Sequence, residues 1–265
     1  ATISAANENY NGAPITASVE KAGTLANQTM DITYKVKGGA VLGSEPVSAG
    51  TYIASITLGE GVDAKTASVE FTIAKINLTY TAPTANVLTY SGTAQLLVTA
   101  GYVQGAEMQY SLEKNGTYST TIPTGTEAGD YTVWYKIVGG ENYNDVEPAS
   151  VGVTIGKATP AISVGVSSGN LSPGSSVVIG TSAKNPNNEE LTDTPSVTCT
   201  YQIGDGEASA FTNGFSIPKG TAVGTVITIT ASTAEDANYA AATETITVTV
   251  EACNHTGGGT QTCKG

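Results

Sequence analysis

A set of landmarks occurs twice in the same order, roughly 80 residues apart, a spacing that suits one small domain. The first copy runs from Tyr10-Asn11-Gly12 through Ile32-Thr33-Tyr34-Lys35-Val36 to Ala49-Gly50-Thr51-Tyr52 and Phe71-Thr72-Ile73-Ala74-Lys75. The second runs from Tyr90-Ser91-Gly92 through Met108-Gln109-Tyr110-Ser111-Leu112 to Ala128-Gly129-Asp130-Tyr131 and Val153-Thr154-Ile155-Gly156-Lys157. A third copy departs from these marks. Val197 to Gly206 matches the middle strand, and Gly224-Thr225-Val226 replaces Ala-Gly-x-Tyr without a Tyr. Asn238-Tyr239 echoes Asn142-Tyr143, and Ile246 to Val250 closes the unit. The expected organisation is therefore 1–76, 77–157 and 158–252, with a Gly- and Cys-bearing flexible tail at 253–265. The extra length of the third unit falls in the polar loop from Lys184 to Glu190.

The local pattern is strand throughout. Tyr131 to Ile137 and Ile246 to Val250 alternate with period two, and Thr, Val, Ile and Tyr dominate. Asn11-Gly12, Asn115-Gly116 and Asn213-Gly214 signal tight turns. No segment of ten residues reads as a helix. The expected fold is all-β: three small immunoglobulin-like β-sandwiches in tandem, in an elongated array.

Composition removes whole classes of function. The formal charge is −12, and all 11 basic residues are Lys. Nucleic acid binding draws on Lys and Arg neutralising phosphates, so no nucleic acid partner is expected. Without Arg there is no bidentate grip on phosphate or carboxylate. The single His, His255, sits in the tail, which argues against a Ser-His-Asp or Cys-His centre. No apolar run approaches ~18 residues, so no membrane-spanning helix is expected. The chain opens at Ala1 without a charged-then-apolar leader and is read as a mature form or an excised fragment.

In this order, Tyr-Asn-Gly, Ala-Gly-Thr-Tyr and Phe-Thr-Ile-Ala-Lys resemble the immunoglobulin-like repeats of bacterial surface proteins, the YDG/MBG type. The resemblance covers about 1–157; 158–252 is similar to a related, divergent domain, and 253–265 resembles the start of a Cys-rich repeat. It implies a stalk, spacer or adhesin segment at the cell surface or wall, without catalysis or cofactor. Tyr52 and Tyr131 then suit a tyrosine corner, each hydroxyl turning back to an upstream backbone group, with Gly50 and Gly129 lending backbone freedom to the turn.

The candidate binding residue is Trp134. Tyr131, Val133, Tyr135 and Ile137 share one strand face, so Trp134 points outward beside Thr132 and Lys136. There it either stacks on a sugar or protein partner, with Tyr102, Tyr118 and Tyr143 extending the surface, or lies under the Tyr118 hairpin. The partners this implies are a host or dietary glycan or an extracellular matrix protein, bound by a monomer that serves as a surface module or as the accessory region of a secreted carbohydrate-active enzyme. The acid pairs Glu127/Asp130, Glu189/Glu190, Asp205/Glu207 and Glu235/Asp236 read as solvated loop acids. No metal is expected: Asn185, Asn187, Asn188, Glu189, Glu190 and Asp193 lack a calcium-ligand spacing, and Cys253, His255 and Cys263 make an incomplete zinc set. Lys75 and Lys157 read as exposed strand caps, and Cys199 as a small buried hydrophobe.

Overall fold

A computed structural model describes residues 1–59, 64–190 and 195–253. Among them the regular structure is strand, apart from one 3₁₀ turn at Gly23–Leu25. The chain divides into two compact units: 1–85 with 98–123 and 132–151, and 86–97 with 124–131 and 152–265. The part of the tail beyond Cys253, with His255 and Cys263, lies outside the described residues.

In the first unit, Thr2–Ser4 pairs antiparallel with Ser18–Glu20. The same unit holds a five-stranded sheet in the order Glu8–Asn9, Lys65–Ala74, Gly50–Leu58, Thr33–Val36, Val41–Leu42. Only the first pairing is parallel, Glu8 lying opposite Ile73. Period-two alternation decides which side chains go inside. In Gly50–Leu58 it buries Tyr52, Ala54 and Ile56 and leaves the intervening residues outside. These join Ile3, Ala17, Tyr34, Phe71 and Ile73 in one core. Each large side chain buried there contributes about 1.5–3 kcal/mol. In the same unit Glu107–Ser111 runs antiparallel to 134–138, with Ser111 opposite Trp134. Val133, Tyr135 and Ile137 are buried, so the inward face expected from the alternation is the face observed.

The second unit holds a seven-stranded sandwich. Its strands are Ala161–Gly169, Ser176–Lys184, Val197–Ile203, Ser209–Phe211, Gly214–Ser216, Val226–Thr233 and Ala242–Thr249. The first, second and fifth form one sheet; the fourth, third, sixth and seventh form the other. That non-sequential order is the Greek-key layout of an immunoglobulin-like sandwich. Val177 and Ile179 from one sheet meet Ile227 and Ile229 from the other in one core, which also holds Phe215. Phe215 stacks flat on Tyr201, ring centroids 4.1 Å apart. Elsewhere in this unit Leu88–Thr89 pairs in parallel with Ile155–Gly156, as Glu8–Asn9 does with its closing strand.

Candidate functional site

Trp134 is half-buried on the outer face of its strand. The hairpin that follows Glu107–Ser111 folds over that face. Ser119 and Tyr110 exchange both backbone hydrogen bonds. The Tyr118 hydroxyl donates to the Lys114 carbonyl at 2.9 Å. Two lysines then cap two rings: Lys114 Nζ lies 5.4 Å from the Trp134 ring centroid and Lys136 Nζ lies 4.8 Å from that of Tyr118. Such stacking is worth about 0.5–1 kcal/mol at an exposed site. The structure thus brings Tyr118 into the Trp134 neighbourhood. It does not bring Tyr102, which is exposed on a strand pairing with Tyr80–Thr81, or Tyr143, which faces Tyr10.

Six of the eight acids expected to be solvated have definite partners: Glu127, Asp130, Glu189, Glu190, Glu235 and Asp236. Asp130 accepts from the Thr154 hydroxyl at 2.6 Å, and Glu235 pairs with Lys157. Asn185 Oδ1 accepts the amides of Asn187 and Glu189, and Asn185 Nδ2 donates to Glu189, so these polar groups shape their own turn. Asp193 lies outside the described residues. Among the described residues no three or more His, Cys, Asp or Glu side chains gather as a metal would need. No helix of the described residues is long and apolar enough to cross a membrane. Cys199 is buried, and burial pushes its thiol up, with a hydrogen bond to Thr181 acting the other way.

The repeated marks converge instead on two clasps of the same design. In the first unit Gly12, at φ +79°, turns the chain after Tyr10, whose amide donates to the Ala74 carbonyl at 2.8 Å. This sets Tyr10 beside the end of the closing strand. The Tyr52 hydroxyl donates to the Ser48 carbonyl at 2.8 Å and fixes the corner that presents the Ala49 amide. A loop carrying Asn142 and Tyr143 fills the site so formed. Asn142 Oδ1 accepts the Ala49 amide at 2.8 Å, and the Asn142 carbonyl accepts the Ile76 amide at 3.2 Å. Asn144 N donates to the Ile76 carbonyl at 2.9 Å, Lys75 Nζ donates to the Gly140 carbonyl at 2.6 Å, and Tyr143 sets its ring against Tyr10.

The second unit repeats every element. Gly92, at φ +74°, follows Tyr90, whose amide donates to the Gly156 carbonyl at 2.8 Å. The Tyr131 hydroxyl donates to the Glu127 carbonyl at 2.8 Å. Asn238 Oδ1 accepts the Ala128 amide at 2.9 Å, and the Asn238 carbonyl accepts the Ala158 amide at 2.9 Å. Ala240 N donates to the Ala158 carbonyl at 2.9 Å, and Lys157 Nζ donates to the Asp236 carbonyl. Tyr239 stands against Tyr90, and its hydroxyl pKa is raised by burial first and then by Tyr90, Asp236 and Glu189. Asn238 Nδ2 also reaches Glu127.

This geometry extends one sequence expectation and corrects another. Lys75 and Lys157 are exposed as expected, and each also closes a loop by donating to its carbonyl. Gly50 is outside the left-handed region; it is small because a Cβ there would stand 3.1 Å from the Tyr52 hydroxyl oxygen. Gly129 does use a φ that glycine favours, +147°. Asn142 and Asn238 do not stand out as functional residues in the sequence. The shared Asn-Tyr is the available signal, but nothing local says that its side chain points at another segment.

The fold and these sites define an all-β chain of immunoglobulin-like sandwich character. No family model matches the chain, and no curated protein does. Among solved structures it is similar to mouse protocadherin-24 EC1-3, at 14% identity and TM-score 0.35, covering 94% of this chain and 96% of that one. It is similar to Sidekick-1 immunoglobulin domains 1-5, at 11% and 0.28, covering 94% of this chain and 58% of that one. It is also similar to domains 7, 8 and 9 of the S-layer protein SbsC, at 13% and 0.20, covering 82% and 75%. At these scores the likeness carries neither a ligand nor an activity to this chain.

Proposed function

We propose that the chain is a non-catalytic structural segment of a bacterial surface protein of the tandem immunoglobulin-like type. It acts as a spacer at the cell surface, built from three repeats at 1–76, 77–157 and 158–252. The observation that supports this reading is the doubled clasp. The marks that identify the repeats are used to bind other segments of the same chain, with Asn142 held at Ala49 and Asn238 at Ala128.

A second reading makes the Trp134 face a binding surface for a glycan or matrix protein. It rests on the part of the indole that the hairpin leaves exposed, beside Lys114 and Lys136 in a chain of net charge −12. One experiment separates the two. The chain and its Trp134→Ala variant are screened on arrays of glycans and extracellular matrix proteins. Silence from both supports the spacer. Binding that the substitution abolishes overturns it in favour of the second reading.

A further inference from the structure

We propose that Tyr-x-Gly, Ala-Gly-x-Tyr and the Lys after the closing strand together form a recognition socket for an Asn-Tyr loop, and that the chain's two sockets accept each other's loops. The partner the socket fits is thus the Asn-Tyr loop of another repeat of this type. This holds whether the chain serves as spacer or binder.

Three observations carry it. The first is completeness: each contact of the first clasp has a counterpart in the second, which adds bonds from Asn238 Nδ2 to Glu127 and from Lys157 to Glu235. The Asn side chain meets the Ala amide, the Asn carbonyl meets the amide after the Lys, and the Lys meets the carbonyl two residues before the Asn. The Tyr rings meet edge to face at 5.6 and 5.3 Å.

The second is that the loops reach this display by different routes. In one, Asp145 Oδ1, after the Asn-Tyr pair, accepts the Gly139 amide at 2.8 Å. In the other, Asp236 Oδ1, before the pair, accepts the amides of Asn238 and Tyr239 at 2.8 and 2.7 Å. The flanks are Glu141 and Asn144 in the first and Ala237 and Ala240 in the second. What the loops share is the part that enters the socket.

The third is the end of 158–252. Leu171-Ser172-Pro173-Gly174 replaces Tyr-x-Gly, and Val223-Gly224-Thr225-Val226 replaces Ala-Gly-x-Tyr. Aligning Val248 to Ala252 with Val153 to Lys157 puts Ala252 where the Lys stands. This segment therefore offers the Asn238-Tyr239 loop without the socket marks, whereas 77–157 carries both. Loop and socket are separate functions, not one inherited pattern.

The test uses amide hydrogen exchange on the full chain, because the Ala49 and Ala128 amides report the Asn side chains directly. In Asn142→Leu, Ala49 exchange accelerates by about tenfold or more, the loss of one hydrogen bond, while Ala128 is unchanged. Asn238→Leu gives the reverse. In a third variant the segments 140–145 and 236–241 exchange places, and both amides keep their protection. The amides of Ile56 and Ile229 report the fold. If Asn142→Leu also releases Ile56, then Asn142→Ala, which adds no bulk to the socket, takes its place. Protection at Ala49 that persists without the Asn142 acceptor overturns the proposal, as does loss at either Ala amide on loop exchange.

Discussion

Tyr143 stands edge-on to Tyr10, ring centroids 5.6 Å apart and planes at 79°. An edge-to-face pair of this kind is worth about 0.5–1.5 kcal/mol beyond the area it buries. A double-mutant cycle of Tyr10→Ala and Tyr143→Ala, read by urea unfolding, is expected to show a coupling of that size. Tyr90 and Tyr239, at 5.3 Å and 82°, should give a similar value. Single effects that simply add would mean that the rings are neighbours without being partners.

The corner hydroxyls make a second prediction. Tyr52→Phe and Tyr131→Phe each remove one hydrogen bond to a carbonyl four residues upstream. Each is expected to cost about 0.5–1.5 kcal/mol. Calorimetry should show a lower unfolding temperature for both. The Tyr52 variant should lose more, since Tyr52 is buried and Tyr131 only half-buried, and no shift in either would deny the corner its structural role.

Much of this is legible in the sequence because strand alternation and tyrosine corners are local. Tyr131, Val133, Tyr135 and Ile137 announce their shared face by spacing alone, and the structure keeps it. The hydroxyl bonds of Tyr52 and Tyr131 span four residues, within reach of a local rule. The clasps are not legible, because Asn142 meets an amide 93 residues away and Asn238 one 110 residues away. An exposed Lys at a strand end looks the same in sequence whether it faces water or a carbonyl, so Lys75 and Lys157 read as plain caps. Gly50 is ambiguous for a related reason, since sequence does not separate a glycine needed for its φ from one needed for its size.

That separation can be measured. Gly50→Ala sets a Cβ 3.1 Å from the Tyr52 hydroxyl oxygen and 3.2 Å from its ring carbon, so the corner must give way. Gly12→Ala meets only the Tyr10 hydroxyl, at an ordinary 4.0 Å. It does hold an L-residue at φ +79°, a strain of about 1–2 kcal/mol. Gly220→Ala meets neither problem. The expected order of thermal stability puts Gly220→Ala near the parent and the other two below it. Combining Gly50→Ala with Tyr52→Phe should recover part of the first loss, because the nearest atom in the clash is the hydroxyl oxygen. Gly12→Ala gains no such relief from the same partner.

Cys199, the free thiol of the described residues, gives a kinetic prediction. It is buried opposite Ala231 in the sandwich, and burial holds its pKa above the ordinary thiol value. Both effects keep the thiolate scarce and out of reach. Alkylation at mildly alkaline pH should be slow in the native chain and fast in urea. Rapid native labelling at Cys199 would mean that the strand Val197–Ile203 opens readily.

Alkaline pH should loosen the chain through its tyrosines. Tyr52, Tyr118, Tyr135 and Tyr239 all have pKa values above the ordinary 10.0, with burial the leading cause in each. Glu141 adds to the shift at Tyr52, Tyr80 to that at Tyr135, and Tyr90, Asp236 and Glu189 to that at Tyr239. A raised pKa means that the folded chain holds these protons more tightly than the unfolded chain does. The stabilisation is complete below the unfolded value of 10.0 and is lost as pH rises through the folded values. Unfolding temperature should therefore be flat in pH just below 10.0 and fall above it. Tyr239→Phe has no proton to lose, so its decline should be shallower than the parent's. An equal slope in the two chains would remove Tyr239 from the alkaline transition and leave the fall to the other three.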